Sequence, residues 1–180
     1  MTSSAVSPLV FDTTSLSSFA RADRLDVLGD LLAGAETHVP HVVREEIRDG
    51  IAAHPALAHV LDVEWLRTFP LDTIGRLRRF TQWASRVGAG SRNLGEASVL
   101  AAAEELGAVA LIDDRDATRV GRAYGVSVHG TLWLLGCACR DGKLTEVGAG
   151  NIVDSLAATG MRLPCAGADF PRFARVHKLF

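Results

Sequence analysis

Carboxylates that close short apolar runs are the residues of this chain best placed to do chemistry. Asp12 follows Leu9-Val-Phe11, Asp113 and Asp114 follow Ala108-Val-Ala-Leu-Ile112, and Glu96 opens the helical run leading into that second segment. Glu46 follows a third short run, Thr37–Val39, by less than two helical turns. If these runs are parallel strands of one sheet, their carboxyl ends share an edge, where open α/β sheets collect ligands. Carboxylates gathered there without matching cations repel one another and stay ionised together only around a bound cation. Hard oxygen donors select Mg²⁺ or Mn²⁺ over zinc. A divalent ion held by a few acids suits metal-assisted hydrolysis of a phosphodiester. Taken singly, each acid has a plainer use. Asp12 can cap a helix, Glu96 can favour a helix dipole, Asp114 can serve a turn, and Glu46 can sit on a solvated face.

The elements that must position these acids follow from periodicity and punctuation. Pro8–Phe11 reads as a buried strand, and Thr13-Thr14-Ser15 as the cap of a helix from Leu16 to about Ala33. Thr37–Val39 is a short strand, and Pro40 opens a helix carrying Val42, Val43 and Ile47. Val60–Leu66 has strand character, and Leu71 to about Val87 is helical. Gly88–Ser91 is a break, after which Asn93 caps the helix Leu94–Leu106, closed by Gly107. Ala108–Ile112 is an apolar strand, followed by helix Ala117–Tyr124, strand Val126–Val128 and helix Leu132–Arg140. A last helix spans about Asn151–Thr159. Strands alternating with helices predict an α/β three-layer sandwich with a mostly parallel central sheet. The 180 residues suit a single domain over 1–180, with residues 1–7 frayed and 164–180 a C-terminal tail.

Composition narrows the function classes. With 19 Lys+Arg against 21 Asp+Glu, the formal charge of -2 excludes a generally basic nucleic-acid coat but not a local basic patch. No apolar run approaches the roughly 18 residues of a membrane span. The start MTSSAVSP lacks the pattern of a signal peptide, and three sparse cysteines, Cys137, Cys139 and Cys165, suit a reducing, cytoplasmic setting. Neither a Gly-Lys-Ser/Thr phosphate loop nor a Gly-x-Ser-x-Gly elbow is present, and the histidines lack zinc-ligand spacing. The acid-free stretch between Asp72 and Glu96 carries Arg76, Arg78, Arg79, Arg86 and Arg92. Arg76, Arg79, Arg86 and Arg92 are the expected phosphate contacts, with Phe80 and Trp83 beside them expected in the core. Arg172, Arg175, His177 and Lys178 form a second basic cluster, read as a surface tail.

In this order and spacing the segments resemble the PIN-domain nucleases from about Leu9 to Leu163. Leu9-Val-Phe-Asp12-Thr-Thr resembles the family's opening strand, and Val39-Pro-His-Val-Val43-Arg-Glu-Glu46-Ile the segment with its first Glu. Asn93-Leu-Gly95-Glu96-Ala resembles the Gly-Glu-Ala segment, and Ala110-Leu-Ile-Asp113-Asp114-Arg-Asp-Ala the strand end with the closing acids. Tyr124-Gly-Val-Ser-Val-His-Gly130-Thr131-Leu resembles the late strand with its Gly-Thr step. Trp133 stands where a small residue is expected, and Ile112 where many members have Thr. The resemblance implies a Mg²⁺- or Mn²⁺-dependent endoribonuclease. It implies Asp12, Glu46, Glu96 and Asp114 as catalytic acids and Asp12, Glu96, Asp113 and Asp114 as metal-binding groups. Thr13 or Thr14 would help to position a water, and which of Asp113, Asp114 and Asp116 faces the metal stays open. Expected partners are an RNA substrate, an antitoxin protein if the chain is the toxin of a pair, and a second copy, with helix 16–33 as interface. The rival readings are a catalytically silent PIN-like module that binds RNA or protein and, further off, a receiver-type phosphotransfer domain, which the shortage of lysines disfavours.

Overall fold

The computed structural model describes residues 7–88 and 93–180. Residues 1–6 of the start expected to fray, most of the expected 88–91 break, and Arg92 lie outside the described residues. Strand β1 (Leu9–Phe11) leads into α1 (Thr13–Arg21) and α2 (Leu25–Leu31), and β2 (Thr37–Pro40) into α3 (His41–Gly50). A 3₁₀ turn (Pro55–Leu57) and α4 (Ala58–Asp62) precede β3 (Arg67–Phe69). Helices α5 (Ile74–Arg86) and α6 (Leu94–Leu106) return the chain to β4 (Val109–Leu111), and α7 (Arg115–Ala123) leads to β5 (Ser127–His129). Helices α8 (Thr131–Arg140) and α9 (Glu146–Ala158), a second 3₁₀ turn (Gly167–Asp169) and α10 (Phe170–Val176) follow.

The five strands form one sheet in the order β3-β2-β1-β4-β5, and every neighbouring pair is parallel. The α/β class and parallel sheet expected from the sequence are therefore present. Successive strand side chains point to opposite faces, yet Leu9, Val10 and Phe11 are all buried, so β1 is covered on both sides. From β1 the chain moves first toward β2 and β3, then crosses back to β4 and β5. The crevice between the carboxyl ends of β1 and β4 is thus the point where strand order reverses, the usual ligand site of such sheets. Phe11 is in register with Leu111, and the Asp12 N–H donates to Leu111 O at 3.1 Å, so both acidic strand ends meet at this crevice. Helix α6 is buried nearly all round, from Gly95 to Ala103. Its N-terminus opens on the same edge, because a helix returning to a parallel strand runs against it.

Local physics moved several boundaries. The expected helix 16–33 is two helices, broken where Asp23 adopts φ +55°. Leu16, Phe19, Leu28, Leu31 and Leu32 are spent in the core, which removes the apolar face expected to pair two copies. Asp12, not the Thr13–Ser15 hydroxyls, caps α1, accepting from the Thr14 N–H at 3.3 Å. The expected strand 60–66 is α4 followed by a turn, and the strand lies one step later at β3. The last internal helix begins earlier than expected, at Glu146, because the Thr145 side chain accepts from the Gly148 N–H at 3.0 Å.

The segment read as a tail is helical and packed, with Phe170 and Ala174 buried. Its anchor is a close backbone crossing of two glycines. A Cβ added to Gly150 on α9 would lie 2.6 Å from Gly167 O, and Gly167 N donates to Asp154 Oδ1 at 2.7 Å. Gly150→Ala is expected to destabilise the protein by about 1–3 kcal/mol, because the obstacle is backbone that cannot rotate aside. Urea unfolding of the two proteins measures it, and an unchanged midpoint would show that α10 is not held by this crossing.

Candidate functional site

The site is built outward from Asp12, which is 3 % exposed at the end of the central strand. Burial raises its carboxyl from 3.8 to about 7, and the negative charges of Glu96 and then Glu46 push it the same way, against the Thr14 and Thr13 N–H groups. Glu46 reaches this point from the second turn of α3, where it accepts a short hydrogen bond from Thr13 Oγ1. Gly95 gives it room: a Cβ there would sit 2.6 Å from Glu46 Oε2. A side chain at position 95 would push the Glu46 carboxylate aside, so Gly95 lets it approach closely. Glu96, in the first turn of α6, also has its carboxyl raised, by burial first and then by Glu46 and Asp114.

The doubled acid after β4 divides its work. Asp113 accepts from Ser15 Oγ at 3.0 Å, Thr131 N at 2.8 Å and Thr131 Oγ1 at 2.7 Å. That network ties β4 to the starts of α1 and α8. Gly130 is needed beside it, since a Cβ would fall 2.6 Å from Asp113 Oδ1. Asp114 caps α7 through one oxygen, accepting from the Ala117 N–H at 2.8 Å, and its charge reaches Glu96. Asp116 is an exposed neighbour paired with Arg119 at 3.2 Å. Thr14 is exposed on the rim. Among the described residues, none of Asp12, Glu46, Glu96, Asp113 and Asp114 has an ion pair. Nor, among the described residues, do three His, Cys, Asp or Glu side chains come together closely enough to hold a metal ion by themselves.

The arginines singled out on α5 are not brought to these acids. Arg76 pairs with Asp72 and Glu105, and Arg79 with Glu104 and Glu105. Glu105 is nine residues beyond Glu96 on one helix, about 13 Å along its axis. Arg86 lies over the rings of Trp83 and Tyr124, 4.7 and 4.2 Å from their centroids. Trp83 is fully buried, as expected, and donates to Glu104 at 3.0 Å.

Beside the acids a groove of about 1240 Å³ opens, lined by Glu96 and Asp114 and walled by residues that sequence reasoning passed over. Arg115, Arg119 and Arg122 line it from α7, and Arg162 from the stretch after α9. Their signal was legible: Arg115, Arg119 and Arg122 fall at i, i+4 and i+7 directly after Asp114. Arg122 is held by two bonds to Val128 O, at 3.1 and 2.7 Å, while Arg115 and Arg162 have no acidic partner among the described residues. His129 also lines the groove, its imidazole pKa lowered by burial and by the Arg122 charge. Among the described residues, a crevice of five acids without cations thus adjoins a groove with two arginines without anions.

The raised Asp12 carboxyl makes a sign-definite prediction. A folded value above 3.8 means that the native state holds this proton more tightly than the unfolded chain. Its ionisation therefore costs stability, nothing at low pH and the full amount above about pH 7. The cost is on the order of 4 kcal/mol. In EDTA, stability should fall as pH rises from about 4 to 7, and Asp12→Asn should flatten that fall and raise the alkaline melting temperature by several degrees. Thermal melts across pH check it. An Asn variant no more stable than the parent in alkali would show that the Asp12 charge is already compensated.

A family model described as a PIN domain matches residues 8–167. A search of the curated proteins finds no match to the chain. The matched span runs from the residue before β1 into the turn before α10 and takes in all five strands and every acid of the crevice. On that match the chain belongs to the PIN-domain family, whose fold is nuclease-like and whose members are generally nucleases.

Proposed function

We propose that the chain is a Mg²⁺- or Mn²⁺-dependent endoribonuclease. The observation that supports this most is the paired imbalance of charge: uncompensated carboxylates at the switch point and unpaired arginines along the adjoining groove. The donor set fits such an ion. It offers hard oxygens in an open arrangement, and Mg²⁺ keeps most of its waters and takes only one or two carboxylates beside substrate phosphates. Asp12, Glu96 and Asp114 are the proposed ligands, with Glu46 the fourth catalytic acid. When bound, the ion would supply Lewis acidity at a phosphodiester and ready deprotonation of water.

The chain's own residues would orient and discriminate. The Thr13 hydroxyl, donating to Glu46, fixes that carboxylate and leaves its remaining lone pairs for water or ion. Asp113, both of whose oxygens accept from Ser15 or Thr131, is better suited to hold the edge together than to bind metal. Arg115 and Arg162 are the proposed phosphate contacts, in place of the arginines of α5. Without these cations the acidic crevice would repel RNA.

The test is cleavage of a mixed panel of single-stranded and hairpin RNA with Mn²⁺ or EDTA. Asp12→Asn, Glu96→Gln and Asp114→Asn should each lower the rate at least about 100-fold, the scale of several kcal/mol of lost charge stabilisation. Asp116→Asn should leave it near the parent value. Arg162→Ala should raise KM more than it lowers kcat. Arg79→Ala breaks only exposed ion pairs, so it should leave cleavage alone and cost less than about 1 kcal/mol of stability. Metal-dependent cleavage that survives Asp12→Asn would sink the proposal. Metal binding without cleavage of any RNA would favour a silent binding module.

A further inference from the structure

We propose that the groove contains a base-binding subsite formed by two close aromatic–imidazole pairs, one stacked and one tilted, the second at the end of α10, so that it takes an unstacked nucleobase of the RNA strand. The inference rests on the ribonuclease reading and assigns residues to the recognition of its substrate.

The first pair is His129 and Trp133, at the end of β5 and in the first turn of α8. Their ring centroids are 4.1 Å apart and their planes 15° from parallel. The second is Phe173 on α10 and His177, the residue that ends that helix, at 4.2 Å and 37°. All four side chains line the groove that also receives Glu96, Asp114 and Arg162. Helix α10 packs against both α8 and α9, which brings the two pairs to one region. Trp133 and Phe173 are only partly buried, and both line the groove, Trp133 also reaching a smaller cavity on its other side.

A ring destined only for the core is covered, as Trp83 is. These rings are instead left at the wall of an open, cation-lined groove. Every nucleobase has a π-face, so such platforms bind bases with little sequence preference, while Arg162 is free to meet the adjoining phosphate. Bases inside a duplex are already stacked on one another and cannot reach a protein ring without being extruded. The subsite therefore favours unpaired strands. Helix α10 lies beyond the matched span 8–167, and Trp133 fills a position where the family resemblance calls for a small residue.

The experiment compares a fluorescein-labelled single-stranded RNA with a fully abasic strand of the same length and charge, by anisotropy in EDTA with the full chain. The intact strand should bind about tenfold more tightly or better, the scale of one stacked base. Trp133→Leu and Phe173→Leu should each remove most of that gap, and Trp133→Tyr and Phe173→Tyr should restore it. Equal binding of the two strands, no binding of the intact strand, or parental affinity in folded Leu variants would each overturn the subsite. The abasic comparison needs no variant and decides the matter if the Leu proteins fail to fold. Cleavage that needs Asp12 and metal but shows no abasic penalty would sink the subsite alone. An abasic penalty without cleavage would sink the nuclease reading alone.

Discussion

The rest of the site depends on one constraint: several negative charges must be held together at the end of a buried strand. Asp12 has almost no contact with water, and Glu96 and Glu46 add repulsion to the cost of its burial. The fold offsets part of this by geometry. In a parallel sheet the helices on either side of each strand bring their N-termini to the carboxyl edge, and such ends carry partial positive charge. Asp12 caps α1, Asp114 caps α7 and Glu96 sits in the first turn of α6, so three of the four acids rest at helix starts. Each start supplies only about half a charge, which leaves the cluster in deficit. That remaining deficit is the charge which the proposed divalent ion would offset.

Smaller features follow from that deficit. Glu46 must approach closely, so Gly95 has no side chain and Thr13 donates to it. The β4 end must not drift from β1, so Asp113 is fastened to Ser15 and Thr131, and Gly130 leaves space for the bond. Two adjacent acids of one type therefore have unlike environments: one takes three hydrogen bonds spread over both oxygens, the other has an oxygen to spare. No sequence rule separates Asp113 from Asp114. The distinction arises from α1 and α8, which lie 98 and 18 residues away along the chain at their points of contact.

Legibility in the sequence tracks how local each cause is. The strands β1 and β4 and the helix α6 were readable because continuous burial writes itself as apolar runs with caps. The edge at which the acids meet followed from parallel order alone. The break at Asp23 was not readable, since φ +55° in a non-glycine residue answers to packing of α1 and α2 on the sheet. The shift of the third strand from Val60–Leu66 to Arg67–Phe69 has a similar origin. An edge strand needs only one covered face, and β3 buries Phe69 while leaving Arg67 and Thr68 exposed, so its apolar signal is weak. Arg76 and Arg79 of α5 show an electrostatic reason for misreading: an acid-free stretch looks like a free cationic surface until its partners appear on another element. Glu104 and Glu105 of α6 are those partners.

The same argument explains why cations at the groove come from α7. A helix that starts at Asp114 presents its early residues at the acidic edge, so Arg115 stands beside the acid that caps the helix. Arg119 and Arg122 follow on the same side, away from Ala117 and Gly121, which are buried against the sheet. One nine-residue helix thereby delivers a carboxylate to the crevice and a row of guanidinium groups to its rim. The opposite sign of the two groups need not cancel, because Arg122 is turned to Val128 O and Arg119 to Asp116. Charge is kept separated along the helix, as the proposed binding of a polyanion across a metal-bearing crevice would require.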